Sequence, residues 1–342
     1  MLPRSRGETT VKSVQVTGPG QIVYADAPEP PASGGVLVGV HQVGICGTDV
    51  GIFSGGIPVD YPRIMGHEMI GEVIEDGGTN IATGQRVLID PAIACGLCPL
   101  CCEGRPNLCL TGGLLGRDAD GVFAERVVVP ADRLLVVSSE VSDLAAGLLQ
   151  VLGTCVHAHR STHVVPGDVA VVVGLGVSGL LLAQLLRASG ATVVGVTRSE
   201  WKRELALRFG VAAVAPPDRA TAVVMDMTGG IGADLVVEAV GTEATLSQSI
   251  ELARVGGKVV VFGTITQGGK GLPYYQLYFK ELTLWNPRAA LPADYARGIE
   301  LAASGALDLE PIVTDELHLS EAALAFERVA SPDSLKVLME VG

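Results

Sequence analysis

The sequence predicts an α/β protein of two domains, one β-rich and one built on a doubly wound parallel sheet. Three observations predict this. Residues 11 to about 157 are rich in Val and Gly, and short alternating runs such as "VLVGVHQV" and "GQRVLID" are split by Gly and Pro, as in a β-rich domain with irregular loops. From about 158 to 290, near-continuous apolar runs ("VAVVVG", "ATVVGVT", "ADLVVEAVG", "GKVVVFG") alternate with helically spaced segments, "SGLLLAQLLRAS" and "EATLSQSIELARV". Beyond 290, "DYARGIELAASGALDL" and "SEAALAFERVA" read as helices and "SLKVLMEV" as a closing strand. The expected division is 1–157, 158–290 and 291–342, with the last segment completing the first domain.

The 342 residues, 48% of them apolar, suffice for two cores. A formal charge of −13 argues against nucleic acid, whose phosphates call for clustered Lys and Arg. The N-terminal "MLPRSRGETT" is charged with no apolar run behind it, so no signal peptide is expected. The best candidate for a membrane span is "VAVVVGLGVSGLLLAQLL", residues 169–186. It opens β-branched, breaks at three glycines and turns leucine-rich, an order that reads as strand, turn and helix. A reducing cytoplasm is therefore expected, where thiols are available as metal ligands.

Residues 94–109, "ACGLCPLCCEGRPNLC", hold five of the seven cysteines. Cys95, Cys98 and Cys101 follow at intervals of three and Cys109 comes eight later, so four thiolates can surround one zinc ion tetrahedrally. All four positions are then filled, and such a metal is structural. Disulfide pairing suits neither the compartment nor so short a loop. A redox role needs a CxxC at a helix start after a strand, which is not expected here. Cys102 falls outside the spacing as a spare thiol.

A second group is built from separate segments: Cys46 in "GICGTD", and His67 and Glu68 in "GHEMIGEV". Each alone is weak, since a lone Cys is usually packing and a His-Glu pair incidental. Together they offer S, N and O donors flanked by Gly, and a catalytic zinc uses three protein ligands with one position open.

With these boxes, the four-cysteine lobe, "GVFAE" and a later nucleotide-binding unit in this order, the chain resembles the zinc-containing medium-chain dehydrogenase/reductase family, the alcohol and polyol dehydrogenases, from about residue 11 onward. The resemblance implies a GroES-like catalytic domain and a Rossmann domain. It implies that Cys46 and His67 bind catalytic zinc with Glu68 as ligand or one step away. Thr48 passes the substrate proton outward, and Asp49 orients the ligand His. Two departures stand out. Gln150 in "GLLQVLGTC" replaces a carboxylate or thiol, leaving Cys46, His67, Glu68 and water as the expected shell, with Gln150 able to bond that water. Gly51 stands where members with an extended relay have His, so the proton must leave by water or through the cofactor ribose.

"VVVGLGVSG" supplies Gly174, Gly176 and Gly179 in GxGxxG spacing between a strand and a helix, with Leu175 and Val177 between them. The glycines let backbone approach a pyrophosphate at the helix N-terminus. An NAD site ends its second strand in Asp or Glu, but here the end reads "VTRSEWKR". Thr197 takes the acid's place, and Arg198 and Ser199 can pair with a 2′-phosphate, so NADP(H) is expected. By the resemblance, Lys202 contacts the ribose and Thr154 packs on the nicotinamide.

The expected activity is hydride transfer between NADP(H) and a secondary alcohol/ketone pair, a small molecule of polyol, cyclitol or sugar-derivative type, with two zinc ions per chain. The alternative is a non-catalytic nucleotide-sensing protein keeping only the structural zinc. A zinc-free enoyl or quinone reductase would lack the lobe and the Cys46/His67 pair. A homodimer or homotetramer is expected on the resemblance, with "KELTLWN", residues 280–286, as a sheet edge for a two-fold. His41, His157, His159, His163 and His318 are read as structural or surface residues, with His157 singled out for closeness to the zinc.

Overall fold

A computed structural model describes residues 9–31, 34–265 and 271–342 of the chain. Residues 1–8, most of the stretch read for a signal peptide, lie outside the described residues. The chain divides into two compact units. One comprises Met1–Val151, Leu291–Ser304 and Leu309–Gly342, and the other Leu152–Ala290 with Gly305–Asp308. The boundary falls inside the helix Leu149–Arg160.

In the first unit a largely antiparallel sheet runs Leu134–Val136, Arg86–Ile89, Glu68–Glu75, Val36–Gly44, Lys336–Glu340 and Val313–His318, and Arg126–Val129 also pairs with Val36–Gly44. A smaller sheet joins Gln21–Pro28, Thr10–Gly18 and Arg63–Ile64. The alternating run "VLVGVHQV" forms the strand Val36–Gly44, which exposes only His41. It is central in the sheet, with neighbours on both edges, and Val36, Val38, Val40 and Val43 all enter the core. The closing strand Lys336–Glu340 docks beside it, with Leu338 opposite Gly44 and Met339 opposite Val43. Fully burying each such Val, Leu or Met contributes roughly 1.5–3 kcal/mol, so the C-terminal strand is integral to this core.

In the second unit six parallel strands lie in the order Ala213–Ala215, Thr192–Val196, Val169–Val173, Ala233–Glu238, Ala253–Val261 and Thr283–Trp285. This is the doubly wound order, with its reversal between Val169–Val173 and Ala233–Glu238, where α/β proteins bind ligands outside the strand ends. The apolar run 169–186 splits into the strand Val169–Val173 and the helix Val177–Ala188. Among the described residues no helix is long and apolar enough to cross a membrane. The edge read from "KELTLWN" is a strand of three residues, Thr283–Trp285, paired on one side only among the described residues.

Candidate active site and metal centres

Cys46 ends the turn after Val36–Gly44 and caps the helix Gly47–Phe53, while His67 and Glu68 open Glu68–Glu75. Those two strands are antiparallel neighbours with Gly44 opposite Glu68, so sheet register brings the two boxes together. One ligand atom from each of Cys46, His67 and Glu68 lies within 4.8 Å of the others, and His67 and Glu68 are buried. Asp49 is fully buried behind them. Its carboxylate accepts from the Cys46 N–H at 2.9 Å and the Gly66 N–H at 3.2 Å, tying together the segments that carry Cys46 and His67. Its Oδ1 lies 3.6 Å from His67 Nδ1, which has no hydrogen-bond partner among the described residues. Asp49 thus fixes the backbone on both sides of the site as well as facing the imidazole.

Burial pulls the His67 imidazole down, but the charges of Asp49 and Cys46 outweigh it and hold its pKa well above the usual histidine value. A histidine must be neutral to ligate, so a metal held by His67 would have to displace this proton. Protonated His67 dominates below its raised pKa, so affinity falls as pH drops. We expect zinc binding at this site to weaken about tenfold or more per pH unit lost, for the one or more protons released. Chelator competition at pH 8, 7 and 6 checks this, and a flat profile would contradict it.

Glu68 has a partner that sequence reasoning misses. Lys336, from the closing strand, is buried and forms an ion pair with Glu68 Oε2, and its Nζ also donates to the Ile45 carbonyl at 3.1 Å. Gly44 makes the room, since a Cβ there would sit 2.6 Å from Glu68 Oε2 and 2.7 Å from Lys336 Nζ. The only signal in sequence is a lysine on the same face of a strand as Leu338, a face that proves buried. Gln150 is also buried, and its amide donates to the Tyr295 hydroxyl at 3.4 Å. Burial pushes the Tyr295 hydroxyl pKa up, keeping it a neutral partner. A side chain at Gly51 would meet Ile57, 2.7 Å from the Cβ position, so the relay histidine's place is occupied. Thr48 stands half-buried on the helix Gly47–Phe53.

The lobe brings Cys95, Cys98, Cys101 and Cys109 within 4.8 Å of one another. Cys98 Sγ lies 3.5 Å from Cys101 Sγ and 3.9 Å from Cys109 Sγ. A tetrahedron with arms of about 2.3 Å has edges of about 3.8 Å, so this spacing suits one enclosed zinc. All seven cysteines are free. N–H donors from Leu97 and Cys98 lower the Cys95 pKa to about 6, whereas burial and the Cys98 thiol raise Cys101 to about 12. The Cys95 N–H also lowers Cys109, so a cation held here would have to displace a proton from Cys101 above all. The lobe differs from expectation in that Cys98 caps a four-residue helix, Pro99–Cys102. Cys102 is exposed, with its thiol 3.6 Å from the Leu97 carbonyl.

At the nucleotide loop each glycine has its own reason. Gly174 has φ +98. Gly176, which caps the helix Val177–Ala188, has nothing within 4 Å of a Cβ position and leaves its backbone open to a phosphate. A Cβ on Gly179 would sit 1.8 Å from the Gly174 carbonyl, so only glycine lets the helix pack on the strand turn. Leu175 is buried and faces Gly195, and Val177 opens the helix. Thr197, Arg198 and Ser199 join Thr192–Val196 to the helix Glu200–Arg208, with Arg198 exposed. Lys202 lies on that helix, 5.2 Å over the Trp201 ring, and burial lowers its pKa. Thr154 lies half-buried on Leu149–Arg160. Among the other histidines, the His157 ring lies 6.1 Å from the Trp285 ring at a tilt of 48°, and His159 Nε2 meets Ser189 Oγ at 2.9 Å. His318 accepts from the Ser320 N–H at 3.2 Å.

A parallel-sheet dinucleotide unit and a β-rich unit holding two donor clusters define the class as zinc-type dehydrogenases. The family profile described as "Alcohol dehydrogenase GroES-like domain" matches residues 32–139, and that described as "Zinc-binding dehydrogenase" matches residues 177–304. The chain belongs to the zinc-containing medium-chain dehydrogenase/reductase family and is an oxidoreductase of its alcohol and polyol dehydrogenase kind. It is 30% identical to a sorbitol dehydrogenase of Halalkalibacterium halodurans, over 94% of this chain and 96% of that one. It is 32% identical to an L-galactonate-5-dehydrogenase of Escherichia coli K12, over 91% and 92%. Among solved structures, a zinc-binding dehydrogenase of Sinorhizobium meliloti 1021 bound to NADP superposes with TM-score 0.89 at 33% identity, covering 97% of this chain and all of that one. An Escherichia coli CFT073 alcohol dehydrogenase complexed with NADH gives TM-score 0.90 at 27% identity, covering 98% and 100%.

Proposed function

We propose that the protein interconverts a secondary alcohol of polyol, cyclitol or sugar-derivative type and its ketone, with two zinc ions per chain and a preference for NADP(H). The convergence of Cys46, His67 and Glu68 within 4.8 Å carries the reading. The donor set fits a catalytic zinc: one thiolate, one imidazole and one carboxylate, three ligands rather than four. Cys95, Cys98, Cys101 and Cys109 fit a closed structural site. When bound, the catalytic zinc supplies Lewis acidity that stabilises negative charge developing on the substrate oxygen.

The chain's own residues do the rest. Asp49 holds the Cys46 and His67 segments and orients the imidazole. Lys336 occupies one Glu68 oxygen and leaves the other for the cation. Gln150 offers only a neutral amide oxygen, a weaker donor than the thiolate, imidazole and carboxylate beside it, and its amide N–H donates to Tyr295, so three protein ligands are proposed. Thr48 takes the substrate hydroxyl proton at its Oγ1 and passes it to water, because Gly51 offers no imidazole. Gly174, Leu175, Gly176, Val177 and Gly179 present backbone to the dinucleotide phosphates, Lys202 contacts the ribose, and Thr154 packs on the nicotinamide. Relatives named for sorbitol and L-galactonate support a polyhydroxylated substrate.

Neighbouring structures hold NADP in one case and NADH in another, so the fold admits both, and the residue ending the second strand discriminates. Here that place holds Thr197 and Arg198, with no carboxylate to repel a 2′-phosphate. Assayed over a panel of polyols, inositols, sugars and simple secondary alcohols, the protein should favour NADP⁺ over NAD⁺ about tenfold or more, the worth of one charge-assisted contact. Arg198→Asp should weaken NADPH use by a similar factor and leave NADH use nearly unchanged. A wild-type preference for NADH would contradict the cofactor reading, and no turnover anywhere on the panel would contradict the substrate class.

A homo-oligomer fits the second unit's surface. Beside the one-sided edge strand Thr283–Trp285, the helix Tyr274–Phe279 exposes Tyr275, Tyr278 and Phe279. Aromatic rings next to an open sheet edge suit a two-fold that continues the sheet into a second copy. Seven free cysteines, six of them away from the core of the second unit, fit a reducing cytoplasm.

A further inference from the structure

Arg203 lies one turn into the helix Glu200–Arg208, beyond the residues that the NADP(H) reading uses. Its Nη1 donates to two successive carbonyls, Thr197 O at 2.8 Å and Arg198 O at 2.9 Å. These belong to the short link between the second strand and its helix. A trans peptide points its C=O and N–H in opposite directions. Drawing the carbonyls of Thr197 and Arg198 toward Arg203 therefore turns the N–H groups of Arg198 and Ser199 away from it. Among the described residues neither N–H has a hydrogen-bond partner, and the Arg198 guanidinium is exposed without one. Ser199 is the helix N-cap, yet its hydroxyl makes no capping bond. Two N–H donors, an idle hydroxyl and a guanidinium are thus left on one three-residue link whose conformation a second arginine fixes.

We infer that Arg203 is a positioning residue for cofactor selectivity: it locks the 197–199 link so that the backbone and side-chain donors of Arg198 and Ser199 face a 2′-phosphate. This rests on the NADP(H) reading. A loose link would have to be ordered at each binding event, and the cost falls on the ligand that uses these donors. The 2′-phosphate uses them and a 2′-hydroxyl barely does. Arginine suits the task because its planar fork, always charged, can hold two carbonyls at once.

The test needs neither zinc nor turnover. Binding of 2′,5′-ADP and of 5′-AMP to the full chain is measured by calorimetry for the wild type, Arg203→Met and Arg203→Lys, with melting temperatures alongside. The wild type should bind 2′,5′-ADP at least about tenfold more tightly than 5′-AMP, the worth of a charge-assisted contact. Arg203→Met should remove most of that ratio by weakening 2′,5′-ADP alone, and Arg203→Lys, which keeps charge and one donor direction, should recover part of it. Equal weakening of both nucleotides, or of neither, by both variants would overturn the role of Arg203 while leaving the NADP(H) reading in place. A wild type without preference would overturn the NADP(H) reading, and the role of Arg203 with it.

Discussion

Cys46→Ser is expected to lower kcat/KM by on the order of 1000-fold or more, because a metal acting as Lewis acid supplies several kcal/mol of transition-state stabilisation. Cys46 supplies the thiolate of the three-donor group and also caps the helix that carries Thr48 and Asp49. The serine variant should keep its fold, since the Asp49 bond runs to the Cys46 backbone N–H and survives the exchange. Bound zinc should drop from two ions per chain to one, the survivor being the ion enclosed by Cys95, Cys98, Cys101 and Cys109. Metal analysis beside steady-state kinetics checks this. Turnover near the wild-type rate, with two ions retained, would contradict it.

Lys336→Met should produce the largest change in stability. Lys336 and Glu68 are both almost completely buried, each with a side chain only 3% exposed. Removing one member leaves a carboxylate in low dielectric, a change that costs about 3–5 kcal/mol. For a chain of 342 residues that lowers the melting temperature by roughly 4 to 7 °C when zinc is absent. Zinc at Cys46, His67 and Glu68 gives the carboxylate another cation, so the loss should be smaller when zinc is bound and the variant's zinc affinity should rise. Calorimetric melts with and without zinc check both. An equal drop in the two states, with zinc affinity unchanged, would show that Lys336 acts on the core and not through Glu68.

How much was legible follows from how local each signal is. The strand, turn and helix around Gly174–Gly179 are set by neighbouring residues, and the runs "VAVVVG" and "SGLLLAQLL" fall on Val169–Val173 and Val177–Ala188. The cysteine lobe is equally local, because four donors within fifteen positions have few ways to close. The Cys46, His67 and Glu68 group needed the antiparallel register of two strands, which composition does not encode; donor chemistry suggested joining the boxes, and the resemblance gave them their roles. Lys336 was out of reach for the same reason in stronger form: its contact with Glu68 depends on a strand arriving at the end of the chain and on Gly44 lacking a side chain. Nothing in the sequence singles out Arg203, because its two acceptors are carbonyls and backbone acceptors leave no mark in sequence.

Everything proposed for the chemistry depends on distant parts of the first unit closing around a cation while leaving it reachable by substrate oxygen. Anomalous diffraction at the zinc absorption edge, from crystals grown with the metal, measures this directly. Two peaks per chain are predicted, one inside the four-cysteine lobe and one touching Cys46, His67 and Glu68 but not Gln150. A peak in the lobe alone would contradict the account.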